Sequence, residues 1–232
     1  MPRSEFQVLN GRHPVDGGTL YFETDLNALI QEPFNMASAA VFVALAFYWS
    51  RALRGTGREL RWIRQALILL WIGAVGGTIY HGFRLHAFFI LMDWLPILML
   101  IVIAAWKFWL AWTGGVKAAA ASLAASFGAQ ALGYRLLNTQ YALTVGYLLM
   151  ALSLIVPMVV QVLRHAVLRR PFALALLFFG TALAMRGSDA QGWLPMGSHF
   201  LWHLFGAVAT HFTLVMVADF SRIQANTLTS KS

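Results

Sequence analysis

Long apolar runs separated by short polar connections dominate this chain. Seven runs can be drawn, over 35–52, 65–83, 87–111, 117–134, 141–163, 171–185 and 199–219. A helix needs about 20 apolar residues to cross a bilayer, so each run predicts one crossing. The links are brief: an arginine-rich stretch (Arg51, Arg54, Arg58, Arg61, Arg64), then FRLH, TGGVK, LLNTQ, RHAVLRR and the longer RGSDAQGWLPMG. Connections this short join antiparallel neighbours. The pattern predicts an all-α integral membrane bundle of seven transmembrane helices over 35–219. An outer segment, 1–34, would precede it and a cytoplasmic tail, 220–232, would follow.

Composition agrees. Of 232 residues 59% are hydrophobic and 11% charged, against about 25% charged in soluble domains. The net charge of +8 does not imply a nucleic-acid partner, because the basic residues sit mostly in the links between apolar runs. Seven crossings alternate those links between two sides. One side holds Arg51, Arg54, Arg58, Arg61, Arg64, Lys107, Lys117, Arg164, Arg169, Arg170, Arg222 and Lys231, and the other holds Arg3, Arg12, Arg84, Arg135 and Arg186, twelve against five. Positive residues stay cytoplasmic, which predicts an N-terminus outside, in a periplasm or lumen, and a C-terminus inside. The opening MPRSEFQVLNGRHPVDGG lacks an apolar signal core, so the first span is expected to direct insertion. There is no cysteine, which leaves histidine and carboxylate as the ligands for any transition metal.

An ionisable group inside a bilayer is costly unless paired, coordinated or hydrated, and so is a functional candidate. Four fall near the outer ends of predicted spans: His81, Asp93, His199 and His203. His199 and His203 are spaced i, i+4 and share a helix face. That spacing suits either a metal or hydrogen bonding between helices. With His81 there are three imidazoles, which together with a water form the open site of a catalytic zinc, and Asp93 could orient that water or act as its base. Of the other histidines, His86 is expected at an interface, His211 buried and hydrogen-bonded, and His13 and His165 in solvent.

Glu23, Asp25, Asn27 and Glu32 put four oxygen-bearing side chains just before the first span. They suit a hard cation such as calcium, or equally a solvated acidic helix entry with Pro33 at its first turn. Asn35 and Ser38 share one helix face and are expected to hydrogen-bond another helix.

From Tyr21 to about His211 the chain resembles the alkaline ceramidase family, within the seven-helix membrane hydrolases that include adiponectin-receptor-like proteins. The segments that carry the likeness are YFET, EPFNMAS, GGTIYHG followed by MDWLPI, and GSHFLWHLFGA. The resemblance implies zinc on His81, His199 and His203, Asp93 beside the reacting water, and calcium on Glu23 and Glu32 with Asp25. Spacing around Asn27 differs from the family's. It also implies an intramembrane amidase acting on ceramide or a related N-acyl lipid, with a fatty acid and a long-chain amine as products. Thr78 or Ser198 would assist the developing oxyanion.

The chain departs from that pattern at Gly77, where the family has a serine, with Thr78 beside it. It departs again at Leu20, where an acid often stands, and in a His81 to Asp93 interval one residue longer. Two other expectations compete: a lipid-binding, receptor-like protein of the same superfamily with little or no hydrolysis, and a haem or quinone electron carrier using the histidines as axial ligands.

Overall fold

The computed structural model describes residues 14–136 and 139–229. Every regular element among them is helical. In chain order these are α1 (Pro33–Ala39), α2 (Val41–Ala52), α3 (Arg61–Phe83), α4 (Ala87–Thr113), α5 (Val116–Leu136), α6 (Thr139–Arg164), α7 (Arg169–Ser188) and α8 (His199–Thr229). Single 3₁₀ turns, Arg58–Leu60, Ala166–Leu168 and Asp189–Gln191, lead into or out of the longer helices.

Five stretches are long and apolar enough to cross a membrane: Pro33–Ala52, Arg58–Phe83, Ala87–Thr113, Ala166–Gln191 and His199–Thr227. α6 contributes a shorter apolar run, Leu148–Arg164. The chain thus has the helices of a membrane protein, with five clear spans among the described residues where the apolar pattern suggested seven. The first run is two consecutive helices joined at Ala40, whose N–H still reaches back to Met36 O at 3.1 Å. The last helix runs ten residues past the expected end at 219, so most of the tail is helical.

The chain forms two compact units. One is Leu98–Phe172, in which α5 packs along α6 and the Trp109 indole donates to Ser153 O at 2.9 Å. The other comprises the chain up to Ile97 and from Ala173 onward, and holds every candidate site residue in the described range. Its core is built on α3, against which α1 and α2 pack, with α8 against α1. Small residues let α3 and α4 approach closely, as in membrane helix pairs. A Cβ on Gly76 would collide with Met92, and one on Gly73 would touch Pro96 Cβ at 3.6 Å. The outer surface of this unit carries apolar side chains such as Phe47, Ile68 and Leu177, while Glu32, Asn35, Ser38, His81, His199 and His203 are buried.

Candidate metal centre

His81 lies in the last turn of α3, and His199 opens α8 with His203 one turn on. All three are buried. One ligand nitrogen from each lies within 4.8 Å of the others. Ring centroids are 4.7 Å apart for His81–His203 and His199–His203, and 5.4 Å for His81–His199. The three imidazoles therefore converge on one point, as their depth and spacing suggested.

Hydrogen bonding fixes two of the rings. A carboxylate only accepts, so His81 Nδ1–H donates to Glu32 Oε2 at 2.6 Å. Ser38 spends its single hydroxyl proton on Asn35 O at 3.0 Å and must accept from His203 Nδ1–H at 2.9 Å. In both rings Nε2 then keeps a free lone pair, which is how outer partners prepare a histidine for a metal. His81 Nε2 and His199 Nδ1 are buried with no hydrogen-bond partner. Orphaned buried nitrogens cost about 1–3 kcal/mol each, and a shared ion would satisfy them. Neutral imidazole is a ligand for borderline divalent metals. The cluster can hold a metal ion.

His199 is oriented differently. The Tyr21 ring stacks on it, 3.8 Å between centroids and 28° between planes. Its backbone N–H, with that of Ser198, donates to Asp189 Oδ1, both at 2.8 Å. Asp189 Oδ2 accepts from Phe22 N–H at 2.9 Å. One buried carboxylate thus caps α8 and ties the N-terminal segment to it. Gly197 has φ +74, and a Cβ there would strike Asp189 Oδ1 and come within 2.7 Å of Phe22 Cβ. Replacing Asp189 with alanine leaves three N–H groups unpaired, two of them buried, and is expected to cost about 2–4 kcal/mol. Thermal unfolding in detergent would show this as a lowered midpoint.

Glu32 is fully buried. Besides His81 it accepts from Thr24 Oγ1 at 2.7 Å, from Asn35 Nδ2 at 3.3 Å and from Arg84 Nη1. Burial pushes its carboxyl pKa up, but the bonds and charges of His81, Arg84 and Thr24 outweigh this together and hold it below its ordinary value. Glu23 instead caps α1, accepting from Asn35 N at 2.6 Å and Phe34 N at 3.1 Å. Its pKa is raised by burial, against the pull of those two donors. Asp25 and Asn27 are exposed, and Asp25 Oδ1 accepts from Asn27 N at 3.0 Å.

Of the expected calcium set, Glu23 thus faces the start of α1, Glu32 faces His81 and Arg84, and Asp25 pairs with Asn27. Among the described residues the three histidines are the group of His, Asp or Glu close enough to share an ion. Both oxygens of Glu32 are already occupied, and the positive charge against it is a guanidinium.

Asp93 sits on α4 against Gly77, one turn before His81 on α3. A Cβ on Gly77 would collide with Asp93 Oδ1, so the glycine makes room for the carboxylate beside the histidines. Asp93 is half-buried and is not one of the three clustered ligands. Gly77→Ala is expected to displace the carboxylate. Metal content should be kept, since Asp93 is not one of the three clustered ligands, and metal analysis of the purified variant checks this.

Three further expectations are corrected here, on the Thr78 and Ser198 hydroxyls, on His211 and on His165. The Thr78 hydroxyl donates to Ala74 O at 2.7 Å and that of Ser198 to Met185 O at 2.6 Å, so neither proton faces the centre. His211 is half-buried against the rings of Tyr48 and Trp49, at 5.7 and 5.6 Å, rather than fully buried. His86 is exposed and accepts from Phe88 N–H at 3.0 Å, His165 is half-buried, and His13 lies outside the described residues.

Sequence reasoning passed over Tyr21, Arg84 and Asp189. Arg84 was visible as a lone arginine three residues after His81, and Asp189 as an acid in a glycine-containing link just before His199. Compared with known proteins, the chain matches no protein-family profile and no curated sequence.

Proposed function

We propose that this protein is a zinc-dependent intramembrane amidase that hydrolyses ceramide or a related N-acyl lipid. The observation that carries this reading is the buried trio of His81, His199 and His203, with ligand nitrogens within 4.8 Å of one another and Asp93 held against the same end of α3. Three converging imidazoles match an open zinc site better than an axial haem pair. The likeness of EPFNMAS, MDWLPI and GSHFLWHLFGA to alkaline ceramidases points to the substrate class. We further read the chain as crossing seven times, with the N-terminus outside and the C-terminus in the cytoplasm.

Zinc, when bound, supplies a Lewis acid that polarises a carbonyl and brings the pKa of water to about 7. His81, His199 and His203 would hold it, with His81 oriented by Glu32 and His203 by Ser38. Asp93 takes the proton from the attacking water at a carboxylate oxygen and delivers it to the leaving amine. The acyl chain lies among the apolar helices.

A second reading is a lipid-binding protein with little turnover. It is favoured by the Thr78 and Ser198 hydroxyls, which are turned away onto backbone carbonyls. Incubation of purified, zinc-loaded protein with ceramides, N-acyl amines and acyl esters separates the two. Release of fatty acid and long-chain amine supports the amidase, and intact lipids after long incubation support the binder.

A further inference from the structure

The acidic segment before the first helix does hold a cation, but the cation is covalently part of the chain. We propose that Arg84 is the resident cation of this segment and the positioning residue that locks it onto the metal centre, doing what a free divalent ion would otherwise do. The proposal rests on the three histidines being metal ligands.

Arg84 is buried. Its Nε and Nη2 fork the Asp16 carboxylate at 2.6 and 2.9 Å. Nη1 donates to Thr19 O at 3.0 Å and to Glu32 Oε1. The guanidinium lies over the Tyr80 ring, 4.7 Å from its centroid. One side chain therefore pins three points between residues 16 and 32. Glu32 carries the constraint onward through its other oxygen to His81 Nδ1 at 2.6 Å, making a relay Asp16–Arg84–Glu32–His81. A guanidinium is always charged, bidentate and unable to dissociate, so the segment is held without calcium.

The backbone supports this reading. Arg84 ends α3 in the left-handed region, φ 49 and ψ 39, where glycine is ordinarily favoured. The reason for arginine at this position is its side chain. Conversely, Arg84→Gly removes the guanidinium without straining the helix end.

The test uses full-length protein in detergent. Zinc affinity is measured by chelator competition with and without millimolar calcium, and hydrogen exchange of residues 14–32 is followed in metal-free protein. The wild type should bind zinc equally with and without calcium. Arg84→Gly should weaken zinc binding about tenfold, as loss of an outer partner does, and should speed exchange across 14–32. Added guanidinium should restore part of both in Arg84→Gly, a rescue that a merely space-filling role would not give.

Asp16→Asn should shift both readouts the same way by less, and guanidinium should not correct it. Unchanged zinc affinity and exchange in Arg84→Gly overturn the proposal, as does a wild type that closes its segment only with calcium. If Arg84→Gly fails to fold, unchanged behaviour of Asp16→Asn is the overturning result. A wild type that binds no zinc sinks the metal reading alone, since exchange in the metal-free protein still judges Arg84.

Discussion

Replacing Asp93 with asparagine is expected to leave the protein folded and metal-loaded while lowering hydrolysis by about 10²–10⁴-fold, the range that a positioned acid–base group contributes. In the proposed amidase, metal binding and proton transfer fall to different residues. The ligand nitrogens belong to His81, His199 and His203, and Asp93 is outside that group. Its carboxylate rests against the bare α-carbon of Gly77, where an amide of the same shape also fits. Asparagine keeps the packing and loses the proton acceptor. Paired measurements of kcat and bound zinc check this, and normal turnover in the asparagine variant would remove Asp93 from the mechanism.

Loss of a ligand should behave in the opposite way. His203→Ala is expected to weaken zinc binding by more than about 100-fold, beyond the 10–100-fold that changes to outer partners cost, and to abolish activity with it. It also leaves the Ser38 hydroxyl without its partner at 2.9 Å. Metal analysis after dialysis against a weak chelator reads the effect directly. A variant that keeps its zinc would mean that His203 is an interhelical hydrogen-bonding residue and no ligand.

Much of this centre was legible in the sequence, for a definite reason. Two histidines at i, i+4 on an apolar helix must share a face, and a third at the end of another span at the same depth can join them, as His81 does. Asn35 and Ser38 could likewise be assigned inward, and Ser38 does reach another helix at His203.

Other features depend on packing, which spacing alone does not encode. An arginine at a helix end reads as a topology charge until the fold brings Asp16 and Glu32 around it. The acids before the first helix suit calcium by composition, and only the packing brings the Arg84 guanidinium onto Asp16 and Glu32. Gly77 read as a missing hydroxyl, yet its contact with Asp93 makes it a clearance between two helices. Thr78 looked available as a donor until its hydroxyl turned back onto the carbonyl four residues earlier, the usual local competitor for such a proton. The crossing count is harder to read: among the described residues five stretches are long and apolar enough to cross a membrane, and α5, which carries Lys117, Ser122, Ser126 and Gln130, is not one of them.

X-ray absorption at the zinc edge on the purified protein tests the central claim most directly. One zinc per chain, with three imidazole nitrogens at about 2.0–2.1 Å and one of them lost in His81→Ala, is the expected result. A protein without stoichiometric metal, or a first shell unchanged by that substitution, would contradict the account.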